Sequence, residues 1–287
     1  VLEEVGVSVA HFRKSQRLVN VIIHGHFYQP PRENPFNGKV PKEHGAEPFH
    51  DFNEKITAEC YRPNIERGNF QHISYNFGGT LLAWLEEHAP QTYARLLEEE
   101  KSVFDYYGVS NAMAQVYNHV IMPLAQAQDI RTQVAWGVRD YTARFGHKPE
   151  GMWLSETAVN YQTLEALADN GIKFTILAPW QADHNSVETI DLEERALMQQ
   201  KLRAYVLRDL APSFEGDPKM NWAAVQALKR AVVPERFDPT EPYIVELRGG
   251  KSIVVFFYNA PLSGGVSFDH HATSDADNFT QDWLLPQ

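Results

Sequence analysis

The chain has a single cysteine, Cys60, in 287 residues. An intramolecular disulfide framework and a thiolate-bound metal cluster are therefore excluded, and a reducing, cytoplasmic setting is the expectation. Long apolar runs are missing as well. Nothing approaches the ~20 consecutive apolar residues that a membrane-spanning helix needs, so no membrane partner is expected. Nor is there a block of like charge: 26 Lys and Arg stand against 37 Asp and Glu, a formal net charge of −11 spread along the sequence. That balance argues against a polyanion such as nucleic acid and fits a neutral or cationic substrate. Repeats of fixed short period and low-complexity tracts are also absent.

A chain of this length can bury roughly three-quarters of the surface exposed when unfolded, enough for one large α/β domain. The first residues, Val1 to Leu18, carry Glu3, Glu4, Arg13, Lys14 and Arg17 and no secretory apolar core. Residues 1–17 read as an N-terminal extension, and 18–287 as a single domain. A start at Val rather than Met suggests a piece of something longer.

Short apolar runs alternate with amphipathic segments, the pattern of a parallel sheet built from βα units. Strands are expected at 18–24, 73–76, 111–116, 151–154 and 173–177. Between them, helices are expected at 52–67, 80–88, 91–106, 124–145 and 161–170, with Gly68, Gly146 and Gly171 as stops. In the longest of these, Ile130, Val134, Val138 and Tyr141 recur at helical spacing. Residues 25–51 form a long Pro- and Asn-rich loop, a length mostly associated with function. Residues 182–242 are less regular, with a helix expected at 220–232. Tyr243–Leu247 and Ser252–Tyr258 flank Arg248-Gly249-Gly250-Lys251, a hairpin signal because Gly-Gly supplies the positive φ of a tight turn. A last helix is expected at 273–285.

Reactive groups in parallel α/β folds gather at the carboxyl ends of strands. Val19–Ile23 reads as a buried strand leading into His24-Gly25-His26-Phe27-Tyr28-Gln29-Pro30. Two residues apart on a strand, His24 and His26 share a face. One satisfied core histidine and one surface histidine is the plainer alternative. The other strand ends contribute Asn76, His119, Trp153 with Glu156, and Trp180 with Gln181. Indoles beside a carboxylate suit sugar, whose axial C–H face packs on an aromatic plane while its hydroxyls bond polar groups. Each Trp taken alone reads as core rather than sugar platform, and it is the gathering of such positions at strand ends that favours sugar. Glu156 is the catalytic candidate, with a helix-start carboxylate that complements the dipole as its alternative.

Three blocks in order carry a family resemblance: HGHFYQP at His24–Pro30, YNHVIMPL at Tyr117–Leu124, and GMWLSETAV at Gly151–Val159. Together they resemble the signatures of glycoside hydrolase family 57, over roughly residues 18–287. FFYNAPLS at Phe256–Ser263 is similar to an uncharacterised subgroup of that family. The resemblance implies an incomplete (β/α)7 barrel and retaining chemistry on α-glucans, by amylases, 4-α-glucanotransferases, branching enzymes or amylopullulanases. It implies Glu156 as nucleophile; with a hydroxyl-rich substrate, neutral His24, His26 and His119 can donate and accept, so they are expected to bind sugar hydroxyls beside Trp153 and Trp180 with no metal or cofactor. The family's general acid is an Asp in a later Asp-Gly-Glu or Asp-Ala-Glu block, and this chain has neither after Glu156. The expectation is that the barrel is truncated on its C-terminal side before the acid, with Asp269 as a lesser substitute.

Two other classes stay open. A His-x-His strand also begins the zinc sites of class II α-mannosidases and polysaccharide deacetylases, although no Asp adjoins His24 or His26. A non-catalytic carbohydrate-binding barrel would account for the missing acid block.

Overall fold

A computed structural model describes residues 20–182, 238–269, 271 and 273–285. Its contacts divide the chain into two units, Val1–Ile176 with Tyr243–Val255, and Leu177–Pro242 with Phe256–Gln287. The fold is α/β. Four strands, β1 (His24–Phe27), β2 (Ser74–Phe77), β3 (Ala112–Gln115) and β4 (Met152–Trp153), lie side by side in chain order. Every neighbouring pair is parallel. A parallel bridge from Gly151 to Phe174 links β4 to the start of β5 (Phe174–Leu177). A second sheet has the order β5-β7-β6, with β6 (Tyr243–Leu247) and β7 (Lys251–Phe257) as the antiparallel hairpin read from Gly249-Gly250. Both glycines sit at positive φ, 75° and 73°.

The first strand begins where the sequence pattern placed its end. Val21, Ile22 and Ile23 are 55%, 72% and 54% exposed rather than buried. Strand pairing needs a partner, and β2 offers four residues, matched one to one by His24–Phe27. Only the Ile23 carbonyl extends the ladder, accepting from the Ser74 amide at 3.0 Å. Alternation then sends Phe27 to the face opposite His24 and His26. There it meets Phe77 at 4.8 Å between ring centroids, Phe70 at 5.3 Å and Tyr61 at 5.8 Å. Aromatic pairs of this kind add about 0.5–1.5 kcal/mol each beyond the area they bury, so this cluster pins the strand that carries the histidines.

Helices cover that outer face. The segment expected as one helix at 52–67 is three pieces: α1 (Phe52–Ile56), a π-helical turn (Thr57–Tyr61) and α2 (Arg62–Glu66). Pro63 has no amide for the Glu59 carbonyl, and the chain widens just before it. Gly68 then closes the segment at φ 72°. α3 (Gly79–His88) and α4 (Pro90–Tyr107) follow, with Pro90 starting the second and Gly108 at φ 71° ending it. α5 (Ala127–Phe145) ends at Gly146, φ 80°, and α6 (Tyr161–Asp169) is capped by the Asn160 side chain.

The buried stripe of α5 is Ile130, Gln133, Val134, Gly137 and Tyr141. Gly137, not the neighbouring Val138, fills the inward position. A Cβ on Gly137 would lie 2.2 Å from the Gln115 carbonyl oxygen, so the helix packs directly on the β3 backbone.

In the second unit, α7 (Ala260–Phe268) was hidden from pattern reading by Gly264-Gly265. Asn259 caps it, and Gly265 leaves room for the Trp283 ring, which a Cβ would meet at 2.4 Å. The expected helix at 273–285 is a short α8 (Ala276–Asn278) running into a π-helical turn (Phe279–Leu284). The expected helix at 220–232, and residues 1–17, lie outside the described residues. Among the described residues no helix is long and apolar enough to cross a membrane.

Gly137→Ala gains about 1 kcal/mol of helix propensity, yet its methyl meets a backbone oxygen that cannot rotate away. Overpacking of that kind costs about 1–3 kcal/mol. Thermal and denaturant unfolding should show a net loss; an unchanged or raised stability contradicts the close helix–strand contact.

Candidate active site at the ends of the parallel strands

The face of the four-stranded sheet opposite the aromatic cluster is polar. β1 supplies His24 and His26, β2 supplies Ser74 and Asn76, β3 supplies Gln115, and β4 supplies Trp153. The register sets His26 opposite Asn76 and Gln115 opposite Trp153. Asn76 is 0% exposed, and its amide joins three strands. Its Oδ1 lies 3.1 Å from His24 Nε2, and its Nδ2 lies 2.9 Å from His26 Nδ1 and 2.7 Å from Gln115 Oε1. His24 Nδ1 lies 2.9 Å from Ser74 Oγ. Both ring nitrogens of His24 are therefore committed to protein partners.

The rings stack into a column. Trp153 lies 5.2 Å from His24 and 4.7 Å from His26, within 19° of parallel to each. His26 lies 5.7 Å from His119 and 6.4 Å from Tyr28, and Tyr28 stacks on His119 at 3.8 Å. Three blocks far apart in sequence thus share one structure. Gly78 makes room for it, since a Cβ there would lie 2.7 Å from the Tyr28 ring and 3.2 Å from the Gln115 amide nitrogen.

The turns after β3 and β4 are strained. His119 (φ 53°), Glu156 (φ 55°) and Thr157 (φ 54°) are the non-glycine residues at positive φ among those described. Such backbones cost of order 1–3 kcal/mol each and persist only where the surroundings hold them. After β4 the hold comes from Leu154 and Ser155, both 0% exposed, and from the Thr157 and Ala158 amides, which donate to the Leu154 and Ser155 carbonyls at 2.9 and 3.0 Å. With its neighbours anchored inward, Glu156 is turned out to solvent. Its side chain has no hydrogen bond among the described residues, and its charge is felt by His119.

Four buried polar atoms at these strand ends lack a hydrogen-bond partner among the described residues: Gln115 Nε2, His119 Nε2, Trp153 Nε1 and Ser155 Oγ. Leaving such a group unmatched costs about 1–3 kcal/mol. Two of them, on Trp153 and Ser155, lie within three residues of Glu156 in the chain, and a third belongs to His119, which feels the charge of Glu156.

Burial lowers the His24 pKa to about 4, against a smaller raising effect from its bond to Asn76. His26, more open to solvent, is shifted down by burial, against its bond to Asn76, with His119 and His24 adding to the drop. Burial also lowers His119, opposed by the charge of Glu156. All three rings are neutral at neutral pH.

Of the residues singled out from sequence, His24, His26, His119 and Trp153 stand in one column, with Glu156 at the turn that follows Trp153. Trp180 belongs to the second unit, in the short turn Pro179–Gln181, where it packs edge-on against Tyr258 at 5.6 Å. Asp269 does not end a strand; it caps the C-terminus of α7, and its carboxylate accepts from the His271 amide at 2.8 Å. Sequence reasoning noted Asn76 without giving it a role and missed Ser74, Gln115 and Tyr28. Its available signal was a lone polar residue in a short apolar strand, as in Ala112-Met113-Ala114-Gln115.

These features define an α/β protein with aromatic and polar side chains gathered at the ends of its parallel strands. The sequence matches the model of glycosyl hydrolase family 57 over residues 20–285, and the chain belongs to that family. It is 25% identical over 141 residues to "Alpha-amylase 1" of Dictyoglomus thermophilum, covering 47% of this chain and 20% of that protein. It is 26% identical over 140 residues to the 4-alpha-glucanotransferase of Thermococcus litoralis, again covering 47% and 20%. The fold is shared with an exo-type maltose-forming amylase from Pyrococcus sp. ST04, with a TM-score of 0.55 at 15% identity over 92% of this chain and 38% of that one. The Thermococcus litoralis 4-alpha-glucanotransferase structure gives a TM-score of 0.51 at 18% identity over 86% and 29%. The matched region spans about a fifth of the length of the curated relatives.

The packed column makes a direct prediction about His24. Depression from 6.5 to about 4 means that its neutral form stabilises the fold fully above about pH 6.5. That contribution is lost progressively as pH falls to about 4. An NMR titration should find His24 titrating near pH 4, and a value at or above 6.5 contradicts the packing.

Proposed function

We propose that this chain is part of a retaining glycoside hydrolase or transglycosylase that acts on α-glucans, with Glu156 as nucleophile. The carrying observation is the exposed carboxylate of Glu156, held at a strained turn after β4 and close enough for its charge to act on His119 of the ring column. The amylase and glucanotransferase relatives support the substrate class. On this reading the parallel sheet belongs to an incomplete (β/α)7 barrel.

Glu156 attacks the anomeric carbon as the glycosidic oxygen leaves, forming a glycosyl ester; water or a sugar hydroxyl then displaces the carboxylate. The departing oxygen needs a proton from a second carboxyl roughly 5–5.5 Å from the first. Asp269 is engaged in a local turn. The acid is assigned to a part of the full protein outside the described residues. That acid supplies the ~10²–10⁴-fold that general acid–base catalysis contributes.

Trp153, His26 and His119 are proposed to contact a pyranose from the edge of the ring column, His26 being its more exposed member. Trp180 is proposed to contact a sugar unit through its indole face. His24 takes part through Trp153 and Asn76, because its nitrogens are already bonded. The same commitment weighs against the zinc-dependent alternative, which needs imidazole lone pairs free to bind metal.

In the full-length protein, Glu156→Gln should abolish α-glucan turnover while leaving glucan binding within a few-fold. Glu156→Gly with added azide should cleave an activated α-glycoside and release a β-glycosyl azide. A Glu156→Gln enzyme close to the parental rate would show that Glu156 only shapes the turn after β4.

A further inference from the structure

We propose that Asn76 fixes which ring nitrogen carries the proton on both His24 and His26, and so makes the inner face of the sheet a row of hydrogen-bond donors. Asn76 has two amide protons and one carbonyl oxygen. Its Nδ2 faces two acceptors, His26 Nδ1 at 2.9 Å and Gln115 Oε1 at 2.7 Å, and its Oδ1 faces His24 Nε2 at 3.1 Å. This polarity gives every polar atom of the fully buried Asn76 side chain a partner of the right kind.

The reverse polarity does not. With oxygen and nitrogen exchanged, the oxygen would accept from His26 Nδ1–H and from the Gln115 amide. The nitrogen would donate one proton to His24 Nε2 and leave the other with no acceptor at a completely buried position. His26 Nδ1, 3.3 Å away from that site, would already carry a hydrogen.

The consequences run outward from Asn76. His24 must hold its proton on Nε2, where it donates to Asn76, and its Nδ1 accepts from the Ser74 hydroxyl. His26 accepts at Nδ1 and therefore carries its proton on Nε2, which has no partner among the described residues. Gln115 accepts at Oε1, so its NH2 is the end left unmatched. Trp153 Nε1–H is a third unmatched donor, and an indole can be nothing else. The reverse polarity would offer the Gln115 carbonyl and the bare Nε2 of His26 instead.

A ligand that meets the exposed His26 Nε2–H, or reaches the buried donors behind it, must therefore present oxygen lone pairs, as sugar hydroxyl, ring and glycosidic oxygens do. It need not present hydroxyl protons there. Asn76 is a positioning residue in this scheme, acting through His26 and Gln115. The identity of the ligand rests on the glucan reading above; the proton positions do not.

The two are separable by experiment. The full chain labelled with [15N]histidine, with His24 and His26 assigned through His24→Gln and His26→Gln, reports each tautomer from ring-nitrogen shifts and couplings at neutral pH. Both rings should be Nε2–H in the parent. In Ser74→Ala both should stay so, because the proton positions descend from Asn76. In Asn76→Asp, whose carboxylate only accepts, His26 should switch to Nδ1–H or become doubly protonated, with a raised pKa. Maltooligosaccharide binding should then weaken about 2- to 10-fold, the range that one neutral hydrogen bond supplies. Nδ1–H on either ring of the parent overturns the proposal without any functional variant. So does an Asn76→Asp protein in which His26 keeps its Nε2–H neutral form. If the tautomers are as stated but maltooligosaccharide does not bind, the glucan reading fails and the role of Asn76 stands.

Discussion

Asn76 is the joint on which the site depends. It is completely buried on β2 and hydrogen-bonded to β1 on one side and β3 on the other. A single amide thereby couples the orientation of both histidines to that of Gln115, and both histidines stack on Trp153. Buried polar networks are costly when any member is unmatched and rigid when all are matched. Here the matched members lie within the sheet, and the unmatched atoms lie at its ends, where a ligand would sit. The division between scaffold and site falls between His24, fully bonded, and His26, bonded on one side only.

The backbone makes the same division. β3 and β4 end in turns with non-glycine residues at positive φ, and each turn follows a buried segment: Val116 in one case, Leu154 and Ser155 in the other. Burial of those residues holds the strained turns, which set His119 in the ring column and Glu156 outward. The aromatic cluster on the opposite face does the equivalent work for β1 by fixing Phe27. Packing on one face of a four-residue strand therefore decides the chemistry presented on the other.

Much of this was legible in the sequence. Period-2 alternation correctly placed His24 and His26 on one face, glycine stops located the ends of α2, α5 and α6, and Gly249-Gly250 marked the hairpin. The start of β1 was not legible, because Val21–Ile23 has strand propensity but no neighbouring strand to bond. Gly137 escaped for a similar reason: periodicity selects the larger Val138, while the observed packing needs the absence of a side chain against Gln115. Asn76 and Gln115 are ordinary residues one at a time. Their role exists only once the register sets them beside His26 and Trp153, and a register between parallel strands some 40 residues apart leaves no local trace.

The central claim is that Glu156 becomes covalently bonded to sugar. The most direct measurement is to incubate the full-length protein with a 5-fluoro-α-glucosyl fluoride, whose ester intermediate forms faster than it is hydrolysed, and to map the label by peptide mass spectrometry. The account predicts one added 5-fluoroglucosyl group on the peptide containing Trp153-Leu154-Ser155-Glu156, with fragmentation placing it on Glu156. A label on any other carboxylate, with Glu156 unmodified in an active enzyme, would contradict it.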